Sequence, residues 1–381
     1  MKKVLTVFGT RPEAIKLAST IRALEASGQS QTVNVASAQH TDLLYPFIDL
    51  LRIRVDYNLH VMQPDQTPNE VCARILASLD TVLDKERPDL VLVQGDTTTA
   101  MAGALAAFHR RVAVGHVEAG LRSGNPRSPF PEEINRRLIT QLATYHFAAT
   151  GRNRITLLSE GVDWRNIFVT GNPVVDSLKE ILEQPAKDSF SQELLSKTRG
   201  LKRMILTAHR RESINQGMLE NFEVLKGFVA SHTDVALIFP VHPNPAVVEA
   251  AREVFLGEER VHLIKPLCYR EFIALLSSSW LIVSDSGGVQ EEAPTLGKPL
   301  LILRENTERP EVLESGIARL VGGCPMKLAA MLEEAHADGS WADRAEKVAN
   351  PFGLGDSGQQ IAQIIEHLLL STQAPALSIA V

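Results

Sequence analysis

Lys3-Val4-Leu5-Thr6-Val7-Phe8-Gly9-Thr10-Arg11-Pro12-Glu13 opens the chain with an apolar, β-branched run, one glycine and a proline placed for the first turn of a helix. A short strand that feeds a helix through a tight turn is the repeating step of a parallel α/β sheet. The step recurs. Thr32–Ala36, Leu90–Val93, Val112–Val117 and Ile167–Thr170 read as further strands, and Ala14–Ala26, Asn69–Lys85 and Thr97–Phe108 read as helices between them. After a polar stretch, Glu183–Arg199, the alternation restarts with strands Met204–Thr207, Val235–Pro240, Val261–Ile264, Leu281–Ser284 and Leu300–Leu303. Continuous apolar strands separated by helices are covered on both faces, so two such runs predict two doubly wound, Rossmann-like domains with parallel sheets. The expected borders are 1–171 for the first domain and 172–355 for the second. Residues 356–381 would form a C-terminal helix returning to the first domain, with a frayed tail.

The 381 residues fit two domains at about 150 residues each. Hydrophobic residues make up 44% and charged residues 22%, enough apolar matter for real cores. A net charge of −6 leaves no basic excess to neutralise phosphates, so neither nucleic acid nor an anionic membrane is expected as partner. The opening lysines precede no apolar stretch of signal-peptide length, and no run of about 18 apolar residues occurs. Cys72, Cys268 and Cys324 stand far apart with no ligand spacing, so no structural metal is expected and a reducing, cytoplasmic compartment fits best.

In doubly wound folds ligands bind beyond the carboxyl ends of the strands. The first such loop, Gly9–Glu13, lacks the GxGxxG of a dinucleotide site but places Arg11 and Lys16 at a helix N-terminus, a setting for an anion. Its bland alternative is a plain turn with a solvated lysine. Gln94-Gly95-Asp96-Thr97-Thr98-Thr99 ends another strand, where Asp96 is either a helix cap or a base. Gly115-His116-Val117-Glu118-Ala119 sets a charge among small apolar neighbours, costly unless it is paired or working. Pro129-Phe130-Pro131-Glu132-Glu133 looks like an acidic helix start. Together Asp96, Glu118 and Glu132 lie in or beside successive loops at one sheet edge. Three converging carboxylates would raise one another's proton affinity, as general acid–base chemistry requires.

In the second half His209, beside Arg210 and Arg211, is placed to grip or protonate a phosphate, with a structural histidine as the alternative. Ser284-Asp285-Ser286-Gly287-Gly288-Val289-Gln290-Glu291-Glu292 joins a strand end, two glycines and a helix start, a phosphate cradle whose acids can reach ribose hydroxyls. Arg304 and Arg309 follow the next strand. These residues predict a nucleotide diphosphate held by the second domain, with the sugar facing the first domain's carboxylates across an interdomain cleft.

Phe8–Lys16 (FGTRPEAIK), 94–99 (QGDTTT), 115–122 (GHVEAGLR), 129–137 (PFPEEINRR), 170–176 (TGNPVVD), 209–213 (HRRES), 284–294 (SDSGGVQEEAP) and 305–311 (ENTERPE) resemble, in order and over nearly the whole chain, the non-hydrolysing UDP-N-acetylglucosamine 2-epimerases of bacteria. The resemblance implies the GT-B architecture and interconversion of UDP-N-acetylglucosamine and UDP-N-acetylmannosamine. UDP would leave by elimination, give a 2-acetamidoglucal, and add back after C2 is reprotonated from the other face. No nicotinamide, other cofactor or metal is implied, and a cytoplasmic homodimer serving cell-surface polysaccharide is. Carried onto matching positions, Asp96, Glu118 and Glu132 become acid/base residues and His209 the phosphate-contacting histidine, supported by Arg11 and Lys16. Ser286, Gly287 and Gly288 would take phosphate oxygens, Glu292 the ribose, Arg309 the nucleotide and Phe272 the uracil. Gln39, His40 and Arg74 match positions that bind an activating substrate molecule, although Ala36-Ser37-Ala38-Gln39-His40-Thr41-Asp42 stands where relatives carry TGQHREM. Competing readings are a 2-epimerase acting on UDP-2,3-diacetamido-glucuronic acid, a hydrolysing 2-epimerase that releases N-acetylmannosamine and UDP, a GT-B glycosyltransferase with a separate acceptor, and a silent nucleotide-sugar sensor.

Overall fold

The computed structural model describes residues 1–39, 41–63, 66–183, 189–208 and 216–371. His40, the segment 209–215 that holds His209, and the tail 372–381 lie outside the described residues. The chain divides into two units: Met1–Ser177 together with the chain from Phe352 onward, and Leu178–Pro351. The first break therefore falls at Ser177 rather than at 171, inside helix Val174–Glu183, and the second at Pro351 rather than at 355.

In the first unit seven strands form one parallel sheet: β1 (Lys2–Phe8), β2 (Ser30–Ala36), β3 (Tyr57–Asn58), β4 (Leu90–Gln94), β5 (Ala113–Ala119), β6 (Tyr145–Ala148) and β7 (Ile167–Val169). Their order is β3-β2-β1-β4-β5-β6-β7, so the direction of winding reverses between β1 and β4. Val4, Leu5, Val7 and Phe8 of β1 and Val91, Leu92 and Val93 of β4 have no exposed surface, which is why these strands read as unbroken apolar runs. Helix Thr98–His109 covers the switch point with small residues, and a Cβ on its Gly103 would meet Val93 Cγ1 at 3.2 Å.

Helix Ser357–Ser371 belongs to this unit. Its first N–H groups, on Ser357 and Gly358, donate to the Asp176 carboxylate at 3.3 and 2.8 Å, and its Glu366 bonds Ser27 of helix Arg11–Ser27. Asp176 thereby supplies the terminal acceptor that a helix N-terminus needs.

The second unit repeats the design with six parallel strands: β8 (Lys202–Thr207), β9 (Val235–Pro240), β10 (Val261–Ile264), β11 (Leu281–Ser284), β12 (Leu300–Ile302) and β13 (Ala318–Leu320). The order β10-β9-β8-β11-β12-β13 places its switch point between β8 and β11. Its core gathers Met204, Leu206, Phe222, Phe239, Phe255, Leu281 and Val283. The α/β class with two parallel sheets is thus as expected. Strands β3, β6 and β13 are additional to the sequence reading, and β5 runs on through Glu118 instead of ending at Val117.

Candidate active site

Three loops of the first unit meet at the β1/β4 switch point, where a doubly wound sheet exposes the ends of diverging connections. Gly9 is required there: a Cβ would come within 2.0 Å of Ser37 Oγ and 2.5 Å of Thr99 Oγ1. Thr99 in turn donates to Gln39 Oε1 at 2.8 Å. Glu13, in the first turn of helix Arg11–Ser27, is fully buried and ties two loops together. Its Oε2 accepts from Gly9 N at 2.9 Å and Thr10 N at 2.7 Å, and its Oε1 accepts from Thr97 Oγ1 at 2.6 Å. Burial pushes the Glu13 carboxyl up to about 7, against those hydrogen bonds, which work to lower it.

Lys16 lies one turn further on and is only 6% exposed, so it is no solvated lysine. It forms a buried ion pair with Glu118 Oε1. Glu118 sits in a bulge of β5, where the register against β6 skips between Val117 and Ala119, and its φ is +64°. Such a backbone costs a side-chain-bearing residue about 1–2 kcal/mol, and backbone strain of this kind collects where function over-determines it. Gln94 Nε2 donates to Glu118 Oε2 at 2.5 Å and Asn172 Nδ2 to Oε1 at 3.1 Å.

Asp96 follows Gly95, whose φ of +69° and contacts fix the turn: Gly95 N donates to Val117 O at 3.0 Å, and Gly95 O meets His116 Nε2 at 2.8 Å. Burial pulls His116 down to about 3, so its neutral ring donates Nε2–H to that carbonyl. The helix after Asp96 is capped by Thr97, which accepts from Ala100 N at 3.0 Å; Asp96 is therefore not the cap. Instead its Oδ2 receives Arg136 Nε at 2.8 Å and Nη2 at 2.6 Å, while its carbonyl receives Asn135 Nδ2 at 2.9 Å. Arg136 also reaches Glu133 Oε2 at 3.2 Å. Glu133 is fully buried; burial works to raise its carboxyl, but the Ser123 N–H, Arg137 and Arg136 outweigh it and hold it low. Glu132, half-buried, begins the same helix, Glu132–Leu142.

Cations stand beside two of the three expected acids: Lys16 pairs with Glu118 and Arg136 with Asp96. Burial raises the proton affinity of a further carboxyl at this edge, Glu13.

Of the other expected residues, Arg11 is exposed with its guanidinium 5.5 Å from the Phe47 ring centroid. Arg74 is half-buried and bonds Val61 O at 3.0 Å and Gln63 Oε1 at 3.0 Å.

In the second unit Ser286, Gly287 and Gly288 follow β11 at its switch point. Ser284 Oγ shares a 2.5 Å hydrogen bond with Thr207 Oγ1 and accepts from Ser286 N at 2.9 Å, setting the course of the glycine loop. Glu292, in helix Val289–Thr295, accepts from Tyr269 OH at 2.8 Å; Tyr269 and Phe272 share helix Tyr269–Ser277. Arg309 is buried between acids, with Nε 2.6 Å from Glu291 Oε1 and Nη1 2.9 Å from Glu308 Oε2.

Sequence reasoning passed over Glu13, Gln94, Arg136, Asn172 and Tyr269. Glu13 was within reach, because Thr10 followed three residues later by Glu is a helix-start signature. The others are revealed only by tertiary contacts. Among the described residues no three His, Cys, Asp or Glu side chains gather as a metal site, and no helix is long and apolar enough to cross a membrane.

Comparison with known proteins adds identity to this geometry. The profile of the family described as UDP-N-acetylglucosamine 2-epimerase matches residues 22–366. A UDP-N-acetylglucosamine 2-epimerase of Salmonella typhimurium is 44% identical over 374 residues, covering 97% of this chain and all of the relative. A Neisseria meningitidis UDP-GlcNAc 2-epimerase solved with UDP-GlcNAc superposes with a TM-score of 0.87 at 39% identity, covering 97% of this chain and 100% of that one. An S. aureus MnaA–UDP co-structure gives a TM-score of 0.90 at 39% identity over 99% of both chains. The fold extends to a glycosyltransferase of only 15% identity, at a TM-score of 0.61 over 96% of this chain and 98% of that one, as expected of the GT-B class. Matched from end to end by sequence and by structure, the chain belongs to the UDP-N-acetylglucosamine 2-epimerase family.

Proposed function

We propose that the protein interconverts UDP-N-acetylglucosamine and UDP-N-acetylmannosamine without net hydrolysis. The observation that carries this reading is the buried Lys16–Glu118 pair beside the Asp96 turn, a carboxylate and a cation held together at a strand end. Removing the C2 proton while the C1–oxygen bond to UDP breaks gives the 2-acetamidoglucal and free UDP. Adding the UDP oxygen back to C1, with a proton delivered to C2 from the opposite face, completes the exchange with atoms and charge balanced.

Each part of this chemistry has a candidate. Asp96, Glu118 and Glu132 serve proton transfer at C2, which needs one group for each face of the sugar. Departing UDP gathers negative charge, and a cation already in place lowers the barrier because no reorganisation is needed when the charge develops. Lys16, Arg11 and His209 are assigned that task. Gly287 and Gly288 offer backbone N–H groups, and Ser286 its hydroxyl, to phosphate oxygens. Phe272 serves the uracil, Glu292 the ribose and Arg309 the rest of the nucleotide.

Proton NMR of the purified protein with UDP-N-acetylglucosamine in D₂O tests this directly. UDP-N-acetylmannosamine carrying deuterium at C2 is the expected product. Accumulation of free N-acetylmannosamine and UDP would replace the proposal with the hydrolytic reaction. An unchanged spectrum, even with a trace of product added as activator, would remove UDP-N-acetylglucosamine as the substrate and direct the search to a 2,3-diacetamido sugar nucleotide.

A further inference from the structure

We propose that Gln94 and Asn172 are positioning residues that hold the Glu118 carboxylate in a single ionised orientation for the sugar chemistry; the proposal rests on the epimerase reading above. Four segments of the first unit, Glu118's own included, meet at this side chain. Gln94 ends β4, Lys16 lies on helix Arg11–Ser27, Glu118 occupies the β5 bulge, and Asn172 follows β7. All four are buried, at 2%, 6%, 7% and 1% exposure.

The donors divide the two carboxylate oxygens. Oε2 takes Gln94 Nε2 at 2.5 Å, and Oε1 takes Asn172 Nδ2 at 3.1 Å together with Lys16. The orientation of the asparagine amide is fixed independently. Its Oδ1 accepts from Val174 N at 3.1 Å, and since a backbone N–H only donates, Nδ2 must be the atom that faces Glu118. An ionised carboxylate accepts at both oxygens, whereas its acid form would aim an O–H at a donor. Neutral amides also do what a second cation would not: they orient the oxygens without further cancelling the charge a base needs. Asn172 carries one more link, because its backbone N–H donates to Phe352 O at 2.8 Å. The residue that grips Glu118 thus also anchors the chain where it re-enters the first unit.

The test uses near-isosteric variants of the full chain: Gln94→Met, Asn172→Leu, Gln94→Glu and Asn172→Asp. The apolar pair removes a donor, and the acidic pair replaces it with a like charge. Loss of a hydrogen bond to the ionised form favours protonation, so the acid limb of the kcat–pH profile should move to higher pH by about one unit in the apolar variants and further in the acidic ones. At pH 7 kcat should fall about 10- to 100-fold, with KM for UDP-N-acetylglucosamine within about threefold of the parent, as expected for an interaction that matters in the transition state. In parallel, carboxyl-¹³C-glutamate NMR follows Glu118 itself, its resonance identified by loss in Glu118→Gln; its midpoint should rise in all four variants. Folded variants whose acid limb and Glu118 midpoint both stay in place would overturn the proposal, as would a rise in KM alone. A parent protein that leaves UDP-N-acetylglucosamine untouched would overturn the epimerase reading instead, and the Glu118 titration would still decide the positioning role. Should an apolar variant fail to fold, its acidic counterpart carries the same readings.

Discussion

At the scale of single residues, this site depends on backbone conformations that ordinary residues resist. Glu118 accepts φ +64° because the bulge in β5 aims its side chain at Lys16, Gln94 and Asn172. Gly95, at φ +69°, lets the chain turn so that Asp96 meets Arg136. A Cβ added at Gly95 would lie 3.5 Å from Glu118 Oε2, ordinary contact distance, so Gly95→Ala is penalised by its backbone and not by a clash. Gly161, at φ +86° with nothing within 4 Å of its Cβ position, supplies a control with the same backbone penalty far from this chemistry. Each alanine should cost about 1–2 kcal/mol of stability. Only Gly95→Ala should also lower kcat, by about tenfold or more, because relaxing the peptide between Gly95 and Asp96 misaims the carboxylate. Thermal unfolding and steady-state rates of both variants check this; equal activity in the two would show that the Gly95 turn does not set Asp96.

At the scale of elements, Glu13 joins the loop after β1 to the loop after β4, accepting from Gly9 N, Thr10 N and Thr97 Oγ1 while wholly buried. Its carboxyl, raised by burial from 4.5 to about 7, holds a proton more tightly folded than unfolded. Stability therefore falls as pH rises through that interval, and the cost is fully present above about 7. Glu13→Gln removes the charge and keeps an acceptor for the backbone N–H groups. Its stability relative to the parent should improve by about 3 kcal/mol between pH 4.5 and 7, at about 1.4 kcal/mol per unit. Urea unfolding of both proteins at the two pH values measures this, and a difference independent of pH would mean that Glu13 titrates in the folded protein as it does in the unfolded chain. The β1–Glu13 step also shows how far a sequence can be read. Strand β1, its turn and its helix are legible because an apolar run buried on both faces, a glycine and a proline are local signals. β3, with two residues, and β6, Tyr145–Ala148 holding His146, carry too little apolar pattern to stand out. Likewise Asp96, Glu118 and Glu132 were legible as charges in strand-end segments. Their partners were not, because Gln94, Arg136 and Asn172 are recognised only after the sheet has brought distant segments together.

At the scale of the whole molecule, the first unit carries opposing proton linkages that meet near its active edge. His116 of β5 and His146 of β6 stand opposite each other in the sheet. Burial pulls their rings down to about 3 and about 4. In the unfolded chain both titrate near 6.5, so their contribution to stability is complete above that pH and drains away as pH falls towards 4 and 3. Glu13 acts in the other direction over 4.5 to about 7. Near pH 6 the two histidines outweigh the one carboxyl, and acidification therefore loosens this unit, with its buried Lys16–Glu118 pair and its Gly95–Asp96 turn. The single-site test is His146→Gln, which keeps a neutral polar side chain but removes the titration. Whatever it costs at pH 7, the stability gap to the parent should narrow by about 2 kcal/mol between pH 6.5 and pH 5, the product of 1.5 units and about 1.4 kcal/mol per unit. Amide exchange of β4 and β5, corrected for intrinsic rates, reads that gap within the first unit itself. A gap that stays constant on acidification would show that His146 already shares its proton with solvent in the folded state. His116, the ring whose Nε2–H holds Gly95 O and through it the turn that presents Asp96, would then stand alone against Glu13, and the acid weakening near pH 6 would disappear.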